Sequence, residues 1–300
     1  MNPIQLLLNS VIDYAGLFPP ASMSMAQAAA DYADYRTGEF SWALGRFVIP
    51  VSRLTELEPY IEKLPQRQTI GWRLSALGSF DVKSDLREIN DFNRRHVARV
   101  GPGSQSAMID TIELKADSVE AIDWYLEAIP DRFQTYVEIP VAGDARALID
   151  AVGARGGRAK VRAGGVTPEV FPTPAQLAVF VLLCVDAGIR FKATAGLHHA
   201  LRSMHPLTYE PSAPSGMMHG FLNVLIASAF AYAGADAAAI EAILEEKTIE
   251  AFKFESAGVQ WRNLRVSSLQ MRTMRERLFE SFGSCSFEEP TSEMKALGLL

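Results

Sequence analysis

Two lysines in this sequence close short apolar runs in the same manner. One run reads Ala159-Lys-Val-Arg-Ala-Gly-Gly165, and the next reads Phe191-Lys-Ala-Thr-Ala-Gly-Leu-His-His199. Residues two apart on an extended strand share a face, so Lys160 goes with Arg162 and Lys192 with Thr194. On adjacent strands the two ammonium groups would lower each other's pKa. An amine freed of its proton attacks carbonyl carbon, the first step of Schiff-base chemistry. The same cations also suit an anionic substrate, and glycine at a strand end lets backbone amides approach a phosphate or carboxylate. Both readings stand on the same residues.

Carboxylates fall into the same register. Ile112-Glu-Leu-Lys115 turns Glu113 and Lys115 away from its apolar face, and Val137-Glu-Ile139 does so for Glu138. Gly71-Trp-Arg-Leu-Ser75 contributes Arg73, and Phe252-Lys-Phe-Glu255 contributes Lys253 and Glu255. Unpaired charge is costly to bury, so these groups must pair, reach water or hold a charged ligand. The catalytic candidates are therefore Lys160, Lys192, Glu138 and Glu113. Substrate contacts are expected from Arg73, Arg162, Thr194, His198, His199 and Glu255, and from Asp13 in the turn Asp13-Tyr-Ala-Gly-Leu-Phe-Pro-Pro20.

Four of the five histidines, His198, His199, His205 and His219, crowd into 22 residues. They offer acid/base work, anion binding or metal ligation. His96, beside Arg94 and Arg95, reads as a solvated helix residue. A divalent metal on Glu113, Glu138 and the histidines is the alternative to a cofactor-free site. No H-E-x-x-H is present, nor an H-x-H on the first strand. The proline-rich stretch from Leu201 to Gly220 has the length and irregularity of a lid.

Something must hold these groups in place. Strand-like runs fall at Val11–Phe18, Gly45–Val51, Thr69–Leu77, Met108–Lys115, Gln134–Val141, Ala159–Ala163, Ile189–Ala195 and Ala251–Val259. Helical stretches separate them, near 24–36, 54–64, 82–96, 118–129, 144–154, 174–187 and 219–245. Capping-box patterns open three of these, at Ser24 with Gln27, Thr55 with Glu58, and Thr173 with Gln176. Such alternation predicts parallel strands joined by right-handed crossovers. Eight units predict a closed (β/α)₈ barrel of one domain. The competing open sheet lacks its G-x-G-x-x-G turn. Residues 1–262 are read as the barrel core and 263–300 as a C-terminal helix and tail packed upon it. Arg262, Arg265, Arg272, Arg275 and Arg277 alternate with acids and read as a solvated face.

Composition excludes further classes. The chain has 300 residues with a formal net charge of −6, which argues against a nucleic-acid-binding surface. Its two cysteines make no disulfide framework and fit a reducing, cytoplasmic setting. The longest unbroken apolar run, Leu177 to Val185, is far short of the roughly 20 residues of a membrane span. The N-terminus has no basic n-region of a signal peptide. The expected partner is a small anionic metabolite, and a homo-oligomer stays open.

The segment from about residue 159 to 199 resembles the class I aldolases of the deoxyribose-phosphate aldolase type. The likeness rests on Lys160 with Gly164 four residues on, and on Lys192 before a glycine-bearing turn. It covers about 40 of the 300 residues. The family's Thr-Ser-Thr-Gly run is replaced by Val161-Arg162-Ala163, and its Gly-Gly pair by Ala195-Gly196-Leu197-His198-His199. The resemblance implies a Schiff-base lysine at Lys160 and an accessory lysine at Lys192. The expected function is then an aldolase or lyase acting on a small anionic carbonyl compound. A metal-dependent lyase or isomerase, and a non-catalytic metabolite-binding barrel, are the alternatives.

Overall fold

The computed structural model describes residues 3–62, 71–97 and 107–300. Eight parallel strands close a (β/α)₈ barrel. They are β1 (Ile12–Tyr14), β2 (Leu44–Pro50), β3 (Trp72–Leu77), β4 (Ala107–Lys115), β5 (Gln134–Glu138), β6 (Arg158–Arg162), β7 (Phe191–Thr194) and, last in the chain, β13 (Phe279–Ser284). β13 lies between β7 and β1, so the sheet has no open edge. Thr69 and Ile70, read as the start of the third strand, lie outside the described residues.

Helices α1 (Pro3–Leu8), α2 (Met25–Tyr35), α3 (Leu54–Glu62), α4 (Val82–Val97), α5 (Val119–Ala128), α6 (Ala145–Ala154) and α7 (Pro174–Ala187) accompany the first seven strands. Local chemistry sets their ends. Thr173 and Gln176 form a full capping box with Pro174 at the first position. Gly188 ends α7 at φ 67°, a left-handed turn that glycine adopts without a Cβ penalty. Ser24 caps α2 through the Gln27 amide. Thr55, expected to cap the next helix, instead lies within α3, which begins at Leu54. Strand faces turned toward the helices bury Phe47, Trp72, Val137, Val161 and Phe191.

The eighth strand is where sequence and structure part. Ala251–Val259 does not enter the barrel. It splits into β10 (Phe252–Glu255) and β11 (Gly258–Trp261), which pair antiparallel and continue to β12 (Leu264–Ser267). Gly258 sits at φ 150°, and a Cβ there would lie 1.9 Å from the Val266 carbonyl oxygen. The barrel is closed by Phe279–Ser284, inside the segment expected to be a tail. Between β7 and β13 the chain inserts the hairpin β8 (Ser203–Pro206) and β9 (Ser215–Met218), helices α8 (Phe221–Tyr232) and α9 (Ala237–Glu245), the β10–β12 meander, and α10 (Ser268–Arg277). α11 (Glu288–Ala296) follows β13.

Edge-to-face ring contacts lock the closing strand. Phe180 of α7 meets Phe191 of β7 at 5.3 Å, and Phe191 meets Phe279 of β13 at 5.0 Å. Each such pair contributes about 0.5–1.5 kcal/mol beyond its buried area. Arg275 is not on a solvated face: its guanidinium donates to the carbonyls of Glu280 at 2.8 Å and Asn9 at 2.9 Å. Residues 168–187 are long and apolar enough, by composition, to cross a bilayer. In the structure that stretch breaks into a short 3₁₀ turn at Pro168–Val170 and the 14-residue α7, which forms the crossover from β6 to β7.

Candidate active site

Inside the barrel, acids and bases alternate in one continuous ladder. Asp13 Oδ2 on β1 lies 2.5 Å from Lys192 Nζ on β7. Lys192 lies 2.8 Å from Glu113 Oε1 on β4, and the other Glu113 oxygen lies 2.8 Å from Lys160 Nζ on β6. Lys160 then reaches Glu138 Oε2 on β5 at 3.1 Å, and Glu138 Oε1 takes Arg162 Nε at 3.2 Å. Three carboxylates thus neutralise three cations. Ser75 donates to Glu113 at 2.6 Å and Ser281 donates to Asp13 at 2.7 Å. The Tyr136 ring lies 5.4 Å from Lys192 Nζ.

The register produces this pairing. Lys160 and Lys192 are direct neighbours on β6 and β7, as are Glu138 and Lys160 on β5 and β6. Repulsion between the lysines was the sequence expectation, and the interleaved carboxylates overturn it for Lys192. Burial would push the Lys192 ammonium down, but Asp13 and Glu113 hold it above the ordinary lysine value. Burial likewise favours protonation of Glu113, yet Lys160 and Lys192 hold its carboxyl well below the usual range. Glu138 is also held down, by Lys160 and Arg162 against the effect of burial.

A cavity of about 300 Å³ opens above the ladder, at the C-terminal ends of the strands. Active sites of this fold lie at that end. Its floor carries Glu113, Glu138, Lys160 and Lys192, and its rim carries Arg162, Thr194, His198 and Cys285. Phe18, Pro19, Val48, Leu77 and Val166 supply an apolar wall. Arg162 is about half exposed, with a side-chain accessibility of 49%. His198 is pushed down to about 4, chiefly by burial, and burial pushes the Cys285 thiol up to about 11. Both are therefore neutral near pH 7, with His198 Nδ1 3.6 Å from Cys285 Sγ. Ala195, also lining the cavity, holds φ 59°, a strained conformation for a residue with a side chain.

Several expected contacts lie elsewhere. Arg73 shares the inward face of β3 but sits at its N-terminal end, paired with Asp110 at 2.5 Å and 52% exposed. Glu255 and Lys253 are exposed on the meander, outside the barrel. Lys115 is exposed past the end of the ladder. Asp13 does not line the cavity; it pairs with Lys192 and accepts the Arg46 amide at 2.8 Å. His199 turns away from the cavity to Glu293 of α11. His219 is buried, with Nε2 2.7 Å from the Pro172 carbonyl oxygen, a structural tie. His96 is buried against Phe92 rather than solvated.

The strand-end glycines have a packing reason. Gly196 holds φ 69°, and a Cβ there would lie 2.8 Å from Gly164 Cα, while a Cβ on Gly164 would lie 2.4 Å from the Phe171 ring. Gly165 alone of that group lines the cavity.

At the opposite end of the barrel a second set of charges is fully engaged. Arg46 and Arg73 share Asp110, while Arg158 and Arg190 share Glu280, at 2.7 and 3.2 Å. An open groove of about 640 Å³ there contains Arg158 and Arg190, but their partnership with Glu280 leaves no counterpart of the ladder. Glu280, Ser281 and Cys285 were missed because their segment was read as tail.

No protein-family model and no curated protein matches the sequence. A solved structure to which the fold is similar is a lysine/ornithine decarboxylase complexed with cadaverine from Vibrio vulnificus. The likeness has a TM-score of 0.36 and 10% identity over 64% of this chain and 48% of that one. This chain therefore spans about half the length of that structure, and the roles of its residues rest on its own geometry.

Proposed function

We propose that this barrel is an enzyme of the lyase type that forms an imine between Lys160 and a small anionic carbonyl compound. The observation that carries the reading is an amine held between two carboxylates on the floor of a cavity at the catalytic end of the barrel. Lys160 is the nucleophile because its partner Glu138 lines the cavity, whereas Lys192 is held by Asp13, which does not, and is the positioning residue. Glu138 takes a proton from the Lys160 ammonium group, and the neutral amine adds to the carbonyl carbon. A proton moves from nitrogen to the new alkoxide, giving the carbinolamine. The Glu138 acid then protonates that hydroxyl, water leaves, and Glu138 is again a carboxylate. The resulting iminium accepts the electron pair of a neighbouring C–C or C–H bond. Glu113 remains ionised between the two lysines.

Arg162 suits the substrate's anionic end, because its planar fork holds two oxygens at once and it is half open to the cavity. The apolar wall limits the rest of the substrate to a short chain. A divalent metal on Glu113 and Glu138 finds no support, since every oxygen of the pair is already met by a cation. Borohydride reduction in the presence of aldehydes, keto acids and sugar phosphates tests the reading. A stable mass adduct with at least one anionic carbonyl compound is expected. No adduct across all three classes contradicts it.

A further inference from the structure

Beside the barrel mouth lies a second constellation that the imine chemistry does not use. We propose that His199, His205 and Glu293 bind a divalent transition-metal ion of the zinc(II) type, clasping the β8–β9 hairpin to α11. Each residue offers one ligand atom, and the three atoms lie within 4.8 Å of one another. Among the described residues this is the one group of histidine, cysteine and acid side chains with such spacing. Two imidazoles and one carboxylate form a known zinc donor set that leaves a fourth position for water.

The surroundings prepare the donors. Ser203 Oγ donates its proton to the Leu201 carbonyl at 2.9 Å, so at 2.7 Å from His205 Nε2 it must accept. The tautomer of His205 with its proton on Nε2 completes both contacts of that hydroxyl and leaves Nδ1 its lone pair for a metal. Glu293 Oε2 accepts the Ala200 amide at 2.6 Å, which fixes the carboxylate beside His199. His199 Nδ1 lies 2.5 Å from Glu293 Oε1, with one proton between them. A metal takes the place of that proton, which moves to Nε2 of the same ring. The donor atoms then open to the roughly 3.3 Å edge of a tetrahedron with arms of about 2.0–2.1 Å. The His199 and His205 rings are stacked, 3.3 Å apart and 7° from parallel, so they must tilt for their lone pairs to converge.

The site joins three parts of the fold that surround the cavity. His199 follows His198, which lines it. His205 is on β8, whose hairpin loop carries Tyr209, 2.9 Å from Glu289 and 3.7 Å from the cavity residue Cys285. Glu293 is on α11, just beyond β13. A bound ion would thus fix one wall of the mouth, whatever reaction the cavity performs.

The test uses the full chain without a polyhistidine tag, stripped with a chelator and dialysed, then titrated with zinc chloride by calorimetry. Cobalt(II) in a parallel titration reports tetrahedral nitrogen and oxygen ligation through its visible bands. One equivalent of zinc is expected, with binding weakened at least about tenfold in His205→Ala and in Glu293→Gln. Glutamine at 293 still accepts the Ala200 amide, and His205→Gln provides a second variant that keeps a polar group at 205. Circular dichroism checks that all three variants fold. Lys160→Met should bind zinc as the wild type does. Absence of zinc binding by the wild type overturns the proposal, and so does unchanged affinity in folded His205 and Glu293 variants.

Discussion

Lys192 is 1% exposed and sits between two acids, so its value to the fold can be measured directly. Replacing it with methionine leaves Asp13 and Glu113 as buried carboxylates without their shared cation. Removing one partner of a buried pair costs about 3–5 kcal/mol, and urea unfolding of Lys192→Met should show a loss of that size. A loss under about 1 kcal/mol would mean that the ladder is solvated or compensated. Arg162 should behave oppositely, because it is half exposed. Arg162→Ala should change stability little but weaken an anionic ligand by about 1–3 kcal/mol in direct titration. Equal affinity for charged and uncharged analogues in that variant and in the wild type would remove Arg162 from the anion site. Strand parity made the inward faces of Glu113, Glu138, Lys160, Arg162, Lys192 and Thr194 legible. It did not give their height along the barrel axis, which is why Arg73 was assigned to the mouth although it lies at the bottom. Nor did parity reveal which charge meets which, since that depends on register between strands far apart in sequence.

At the scale of elements, the first seven strands were legible because a helix separates each pair. The eighth was not. The insertion between β7 and β13 contains a hairpin, three helices and a meander, and the meander alternates apolar and polar residues as a barrel strand would. β13 itself hides its period: its pairing with β7 shifts register between Phe279 and Phe282. Glu280 and Ser281, adjacent in sequence, consequently both find partners on barrel strands, Glu280 in Arg158 at the N-terminal end and Ser281 in the buried Asp13. The expected boundary at residue 262 supplies a direct test. A chain ending there lacks β13 and leaves the edges of β1 and β7 unpaired. It should not unfold cooperatively by circular dichroism, and it should lose the partners of Arg158 and Arg190. A cooperative melt close to that of the full chain would contradict closure by Phe279–Ser284.

For the whole molecule, the ladder ties stability to pH with a definite sign. Glu113 and Glu138 are held below the ordinary glutamate value of 4.5, so their contribution is fully present above it. It is lost as pH falls through their depressed native values, where the unfolded state already binds the protons. Lys192 is held above its ordinary 10.5, so its contribution is present below that value and lost as pH rises beyond the native one. Denaturation midpoints should therefore be level across the neutral range and fall below about pH 4.5. The acid decline should be shallower in Glu138→Gln, and an unchanged decline would remove Glu138 from the ladder's energetics. The central claim, an imine at Lys160, is tested most directly by mapping where borohydride fixes a carbonyl ligand. After reduction and proteolysis, mass spectrometry should place the adduct on the peptide carrying Lys160, and Lys160→Met should abolish it while the protein still folds. An adduct on Lys192 or on surface lysines alone, or one that persists in Lys160→Met, would contradict the account.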